Sequence, residues 1–105
     1  MSKNALKKCY SAGKIGMLPE PEYMANFAQA RREIWDMDMV CICPTLLEHN
    51  HDQTWLSYMR EDLANLLQAD CVYAQRNWQD SKGASIEVNL ALSLGIPVIY
   101  QPPKQ

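Results

Sequence analysis

Ser81-Lys82-Gly83-Ala84-Ser85-Ile86-Glu87 leads into the mostly apolar run Val88 to Leu94, and Gly95-Ile96-Pro97-Val98-Ile99-Tyr100 follows. This stretch decides the fold. It reads as a helix from Gly83 to Leu94, closed by a glycine where helices favour one, and then as an apolar strand from Pro97 to Tyr100. A helix entrance exposes unpaired N–H groups and a positive dipole end, which suits an anion such as phosphate. Ser81 and Gly83 stand at that entrance, with Glu87 inside the first turns. A carboxylate there is within reach of the sugar that carries the phosphate, so the pairing points to chemistry on a nucleotide or a related sugar phosphate.

The same alternation of strand and helix extends back to the N-terminus. Lys8 to Ala12 reads as a first strand, and Gly13 to Pro21, with two Gly and two Pro, as a loop. Glu22 to Met37 reads as a helix with Tyr23, Met24, Phe27, Ala30, Ile34 and Trp35 near one face. Met39 to Cys43, ended by Pro44, is a second strand, and Thr45 to Thr54 a polar loop holding His49 and His51. Trp55 to Gln68 is a helix whose inner side carries Leu56, Met59, Leu63, Leu66 and Leu67. Cys71 to Ala74 is a third strand and Gln75 to Ser81 a polar loop.

Strands separated by helices imply right-handed crossovers and a parallel sheet covered on both faces. Strands that are apolar throughout fit a sheet buried on both sides. The expected fold class is therefore α/β: one domain over residues 1–105, with an ordered core of about 8–101. It is a three-layer sandwich of four or five short parallel strands, Rossmann-like or flavodoxin-like. Ligands of such sheets bind at the carboxyl ends of the strands, near the point where strand order reverses. The loops Gly13–Pro21, Pro44–Thr54 and Gln75–Ser81 and the tail after Tyr100 gather at that rim.

A chain of 105 residues holds one core. Its net charge of −2, with acids and bases mixed, lacks the clustered Lys/Arg stripe of a nucleic-acid-binding face. Lys3, Lys7 and Lys8 read as a solvated N-terminus. No apolar run is long enough to span a membrane, and the N-terminus lacks the apolar segment of a signal peptide. Cys9, Cys41 and Cys71 then read as buried free thiols in a reducing cytoplasm. Cys41, Cys43, His49 and His51 suggest a metal set at first sight. The His-x-His, however, lies in a loop of variable reach, and zinc sites prefer ligand pairs from turns with two to four intervening residues, so no metal or other cofactor is expected.

Several polar residues each allow two readings. Gly13 lets the backbone approach a ligand, and Tyr10 packs on a base, bonds a sugar or catalytic carboxylate, or is a half-buried strand residue. Lys14 is a phosphate partner or a solvated loop residue. Asp62 lies beside the buried face of its helix, as an active-site acid or a solvated one next to Arg60 and Glu61. Asp70 suits a turn or cap bond. Trp55 and Trp78 flank the rim, where each stacks on a nucleobase or belongs to the core or an interface. Glu87 by itself also reads as an ordinary first-turn glutamate stabilised by the helix dipole.

Three segments together resemble the nucleoside 2-deoxyribosyltransferase superfamily: Tyr10-Ser11-Ala12-Gly13, Met59 to Asp70, and Ser81 to Glu87 with the following Gly95-Ile96-Pro97. Within it the chain is similar to small phage and prophage proteins and to the 2'-deoxynucleoside 5'-phosphate N-hydrolases. The resemblance covers Cys9 to Tyr100. It implies Glu87 as a nucleophile on the anomeric carbon, assisted by Asp62, with Tyr10, Gly13, Lys14, Ser81 and Gly83 binding substrate. It also implies a homodimer or higher homo-oligomer. Two departures stand out. The family's phosphate-binding enzymes carry Ser where this chain has Lys14, and a residue they take from a longer C-terminal segment has no evident equivalent after Tyr100. The expected function is hydrolysis of the N-glycosidic bond of a nucleoside 5'-monophosphate, or deoxyribosyl transfer. The alternatives are a binding protein that holds a nucleotide or nucleotide-derived signal without turnover, and an interaction module with a vestigial pocket.

Overall fold

Cys71-Val72-Tyr73-Ala74 is buried at every position, as a central parallel strand requires. The computed structural model describes residues 6–46 and 54–104. The readings attached to His49 and His51 fall outside the described residues. The element order is β1 (Lys8–Ala12), α1 (Glu20–Asp36), β2 (Val40–Ile42), α2 (Trp55–Leu66), β3 (Cys71–Ala74), α3 (Lys82–Leu94) and β4 (Val98–Tyr100). The four strands pair in parallel in the order β2-β1-β3-β4. The chain steps outward from β1 to β2 and returns to the other side of β1 for β3. The reversal therefore lies between β1 and β3, whose carboxyl ends open the crevice where such sheets take ligands.

The period of two along a strand divides the core. Tyr10, Ala12, Val72 and Ala74 pack with Leu66 of α2 and with Ala84, Val88 and Ala91 of α3. Cys9, Cys71 and Tyr73 point the other way, against Ala30 and Ile34 of α1 and against Met39. None of the four cysteines is in a disulfide; Cys9, Cys43 and Cys71 are buried, whereas Cys41 is only half-buried.

Helix ends follow capping chemistry. Thr54 Oγ1 accepts the Ser57 N–H at 3.2 Å, and Ser81 Oγ accepts the Ala84 N–H at 3.1 Å. Gly95 closes α3 at φ 76°, in the left-handed region open to glycine. α1 begins at Glu20, two residues before the expected Glu22, because a proline at the first turn (Pro21) gives up an N–H that has no partner in any helix. Asp70 makes the expected kind of bond: its carboxylate accepts the Lys8 N–H at 2.8 Å, tying the start of β1 to the entry of β3. The second strand shortens to Val40–Ile42, and Pro44–Leu46 winds into a short 3-10 turn. Four residues expected on the apolar faces are exposed: Trp35, Leu56, Leu67 and Met24 are 64%, 53%, 54% and 39% exposed. Among the described residues, no helix is long and apolar enough to cross a membrane.

Candidate active site

The buried stripe of α3 is Ala84, Glu87, Val88 and Ala91; that of α2 includes Met59, Asp62 and Leu66. Each stripe follows helical spacing, and each carries one carboxylate where apolar residues are the rule. Glu87 is 5% and Asp62 9% exposed. Glu87 is therefore not the solvated first-turn acid that the sequence also allowed, and Asp62 lies on the buried face rather than beside it.

Tyr10, in the middle of β1, faces α3, and its hydroxyl donates to Glu87 Oε2 at 2.7 Å in a fully buried bond. Burial lifts the Glu87 carboxyl from its ordinary 4.5 to about 8. The Tyr10 bond acts in the opposite sense by favouring the ionised form, and the negative charge of Asp62 adds to the rise. Burial first, then the Glu87 and Asp62 charges, push the Tyr10 phenol far up, so it remains a hydrogen-bond donor.

Glu87 sits in the wall of a cavity of about 770 Å³, beside Gly13, Lys14, Asp62, Ser81 and Gly83. Six of the seven residues singled out from the sequence thus meet around one space. The seventh, Tyr10, is fully buried behind Glu87 and is not among the residues lining the cavity; its hydroxyl makes the bond to a carboxylate that was one of its readings. Trp55 lines the cavity mouth with Lys82, whose Nζ lies 4.7 Å from the centre of the Trp55 ring. Trp78 instead packs against the α3 side of the core and lies 6.2 Å from the Tyr100 ring. The Lys14 backbone N–H donates to Asn77 Oδ1 at 3.1 Å, pinning the loop after β1 to the loop after β3. Among the described residues, no group of three or more His, Cys, Asp or Glu is placed to hold a metal ion.

Both glycines acquire a packing explanation that their sequence context hid. A Cβ on Gly13 would stand 2.4 Å from the side-chain amide of Gln75, and one on Gly83 would stand 3.2 Å from Met59 Sδ. The room a Cβ would need at Gly13 is filled by Gln75, while Gly13 itself lines the cavity. Gln75 is fully buried and donates from Nε2 to Ser11 Oγ at 3.0 Å. A polar residue directly after a strand reads as loop; only the β1–β3 register, which pairs Ala12 with Ala74, brings it over Gly13. Ser81 likewise spends its acceptor on the α3 cap. We expect Gly13→Ala to cost about 1–3 kcal/mol, because Gln75 must break its Ser11 bond to make room. Urea unfolding of G13A, Q75A and the double variant measures this; coupling between the two sites is the expected result.

A family model described as "Domain of unknown function (DUF4406)" matches residues 7–100. No curated protein matches the chain. Three solved structures share its architecture. A 2-deoxyribosyltransferase from Bacillus psychrosaccharolyticus is 20% identical with a TM-score of 0.65, covering 89% of this chain and 70% of its own. A 2-desoxiribosyltransferase from Leishmania mexicana is 20% identical with a TM-score of 0.66, covering 90% and 63%. A conserved protein from Enterococcus faecalis V583 is 23% identical with a TM-score of 0.65, covering 91% and 63%. The chain thus spans from 63% to 70% of the length of these neighbours. The fold is nucleoside 2-deoxyribosyltransferase-like, with the four parallel strands described above.

Proposed function

The chain belongs to the DUF4406 family of domains of unknown function, and from that premise we propose that it cleaves the N-glycosidic bond of a nucleoside 5'-monophosphate, with Glu87 as nucleophile and Asp62 assisting. The observation that carries this reading is the Glu87 carboxyl in the cavity wall, held from behind by Tyr10 at 2.7 Å, with a second buried carboxylate on the neighbouring helix. Retaining sugar chemistry needs two carboxyl groups of unequal character at one anomeric carbon. One Glu87 oxygen attacks C1' as the C1'–N bond breaks. The base leaves with its electron pair and takes a proton delivered through Asp62. Water then bonds C1' as the ester C–O bond breaks, restoring the Glu87 carboxylate and returning a proton through Asp62; a second base in place of water gives transfer. Lys14 and the entrance of α3 at Ser81 and Gly83 serve the phosphate. Incubation with a panel of nucleoside 5'-monophosphates and detection of free base tests the reading; no base from any of them overturns it.

The nucleophile has to be the carboxylate, yet burial holds the free carboxyl at about 8. The ionised fraction grows tenfold per pH unit below that value and levels off above it. We therefore expect log kcat/KM, which reports free-enzyme groups, to climb with unit slope to about pH 8 and then flatten. A limb near 4.5 would remove Glu87 from the role.

The same protonation favours a second reading. At neutral pH a protonated Glu87 donates a hydrogen bond to a bound sugar rather than attacking it, and the protein then holds a nucleotide without turnover. Intact nucleotide recovered from the purified protein, with no free base, supports that alternative.

A further inference from the structure

The cavity mouth contains a pair that the reaction above does not use. Lys82, the first residue of α3, places its ammonium over the Trp55 ring at the start of α2, 4.7 Å from the centroid. Among the described residues, the ring is the only recorded partner of that ammonium. Both side chains line the cavity, and Lys14 and Lys82 are its only cations among the described residues; Glu20, Asp62, Asp80 and Glu87 supply the acids. An aromatic face is attractive to an ammonium and to a nucleobase alike, and both need the same surface.

We propose that Lys82 is a specificity residue: it covers Trp55 in the empty site, and only a ligand bearing its own anionic group draws it off and frees the ring for the base. This inference rests on the nucleotide reading of the cavity and adds how that cavity distinguishes a nucleotide from a nucleoside. An uncharged nucleoside has to displace the ammonium from the ring and offers it nothing in return. A nucleoside monophosphate gives the ammonium a phosphate oxygen, a stronger partner than the ring face. The ring then stacks on the base. The indole edge lies beside the start of α3, where a Cβ added at Gly83 would stand 3.9 Å from Trp55 Nε1, and Trp55 is 49% exposed, so its ring is accessible. Lys82 thereby acts on both ligands with opposite signs, which a simple phosphate contact does not do.

The test uses the full chain carrying E87Q to suppress turnover, with and without K82M. Each protein is titrated by calorimetry with the deoxynucleoside 5'-monophosphates of adenine, guanine, cytosine and thymine and with the parent nucleosides. Removing the ammonium is expected to weaken the best monophosphate roughly tenfold and to tighten its nucleoside roughly threefold. W55L, in the same background, is expected to weaken both ligands and to abolish the nucleoside gain on adding K82M. Loss of monophosphate affinity with unchanged or weaker nucleoside binding overturns the proposal and leaves Lys82 an ordinary phosphate contact. Unchanged binding of both ligands overturns it as well. If none of these ligands binds even with Lys82 present, the nucleotide reading itself falls and the proposal with it.

Discussion

Glu87→Gln is expected to abolish base release, by on the order of 10⁴-fold in kcat, and at the same time to stabilise the protein above neutral pH. The two effects have one cause. In the folded chain the carboxyl is held protonated up to about 8, against an ordinary 4.5. An acid whose folded pKa is raised contributes stability that is fully present below 4.5 and is lost progressively as pH rises toward 8, since the unfolded chain ionises first. That loss is on the order of 5 kcal/mol. Gln cannot ionise, and its amide oxygen still accepts from Tyr10. E87Q should therefore keep its stability between pH 5 and 8 while the parent loses it, and the two curves should converge near pH 4. Chemical denaturation across that range reads the difference directly. A glutamate kept for structure alone would show the reverse, with E87Q less stable at every pH. Nucleotide binding is expected to survive the change, which separates loss of chemistry from loss of the pocket.

This coupling explains why the site was only partly legible in the sequence. The strands announced themselves as short apolar runs, and the stop at Gly95 and the caps at Thr54 and Ser81 are local chemistry. Local signals fix such features, and the alternation of strand and helix carried the topology. Which helix face points inward is a different matter. Trp35, Leu56 and Leu67 fit the apolar periodicity yet are more than half exposed, because a sheet of short strands covers only a narrow stripe of each helix. The stripes that are covered contain Glu87 and Asp62, an irregularity that a helical wheel already holds: a carboxylate at core spacing is a stronger signal than one at a helix entrance. Gln75 carried no such signal, and for the Tyr10 hydroxyl the bond to a carboxylate was one reading among several. Their significance comes from register between strands far apart in sequence, where Gly13 faces Gln75 and Tyr10 reaches Glu87 across the sheet–helix interface.

Tyr10→Phe and Asp62→Asn should move the acid limb of the rate profile in opposite directions. The Tyr10 hydroxyl donates to Glu87 and so favours the carboxylate; removing it leaves burial less opposed, and the Glu87 pKa rises beyond about 8. A hydrogen bond to a charged group contributes about 1.5–3 kcal/mol, which corresponds to roughly 1–2 pH units. Y10F is thus expected to lose about 10- to 100-fold in kcat/KM at pH 7 and to recover much of it by pH 10, provided the fold holds there. Asp62 acts the other way, since its negative charge raises the Glu87 pKa. D62N should bring the limb below 8, toward neutrality. Its plateau should nevertheless be low, by about 10²- to 10⁴-fold, because the departing base loses its proton relay. A merely structural role for either residue predicts a uniform fall in rate with the limb unmoved. Opposite displacements of a single limb arise only if both groups act on one ionisation, and the one group that both face is the Glu87 carboxyl.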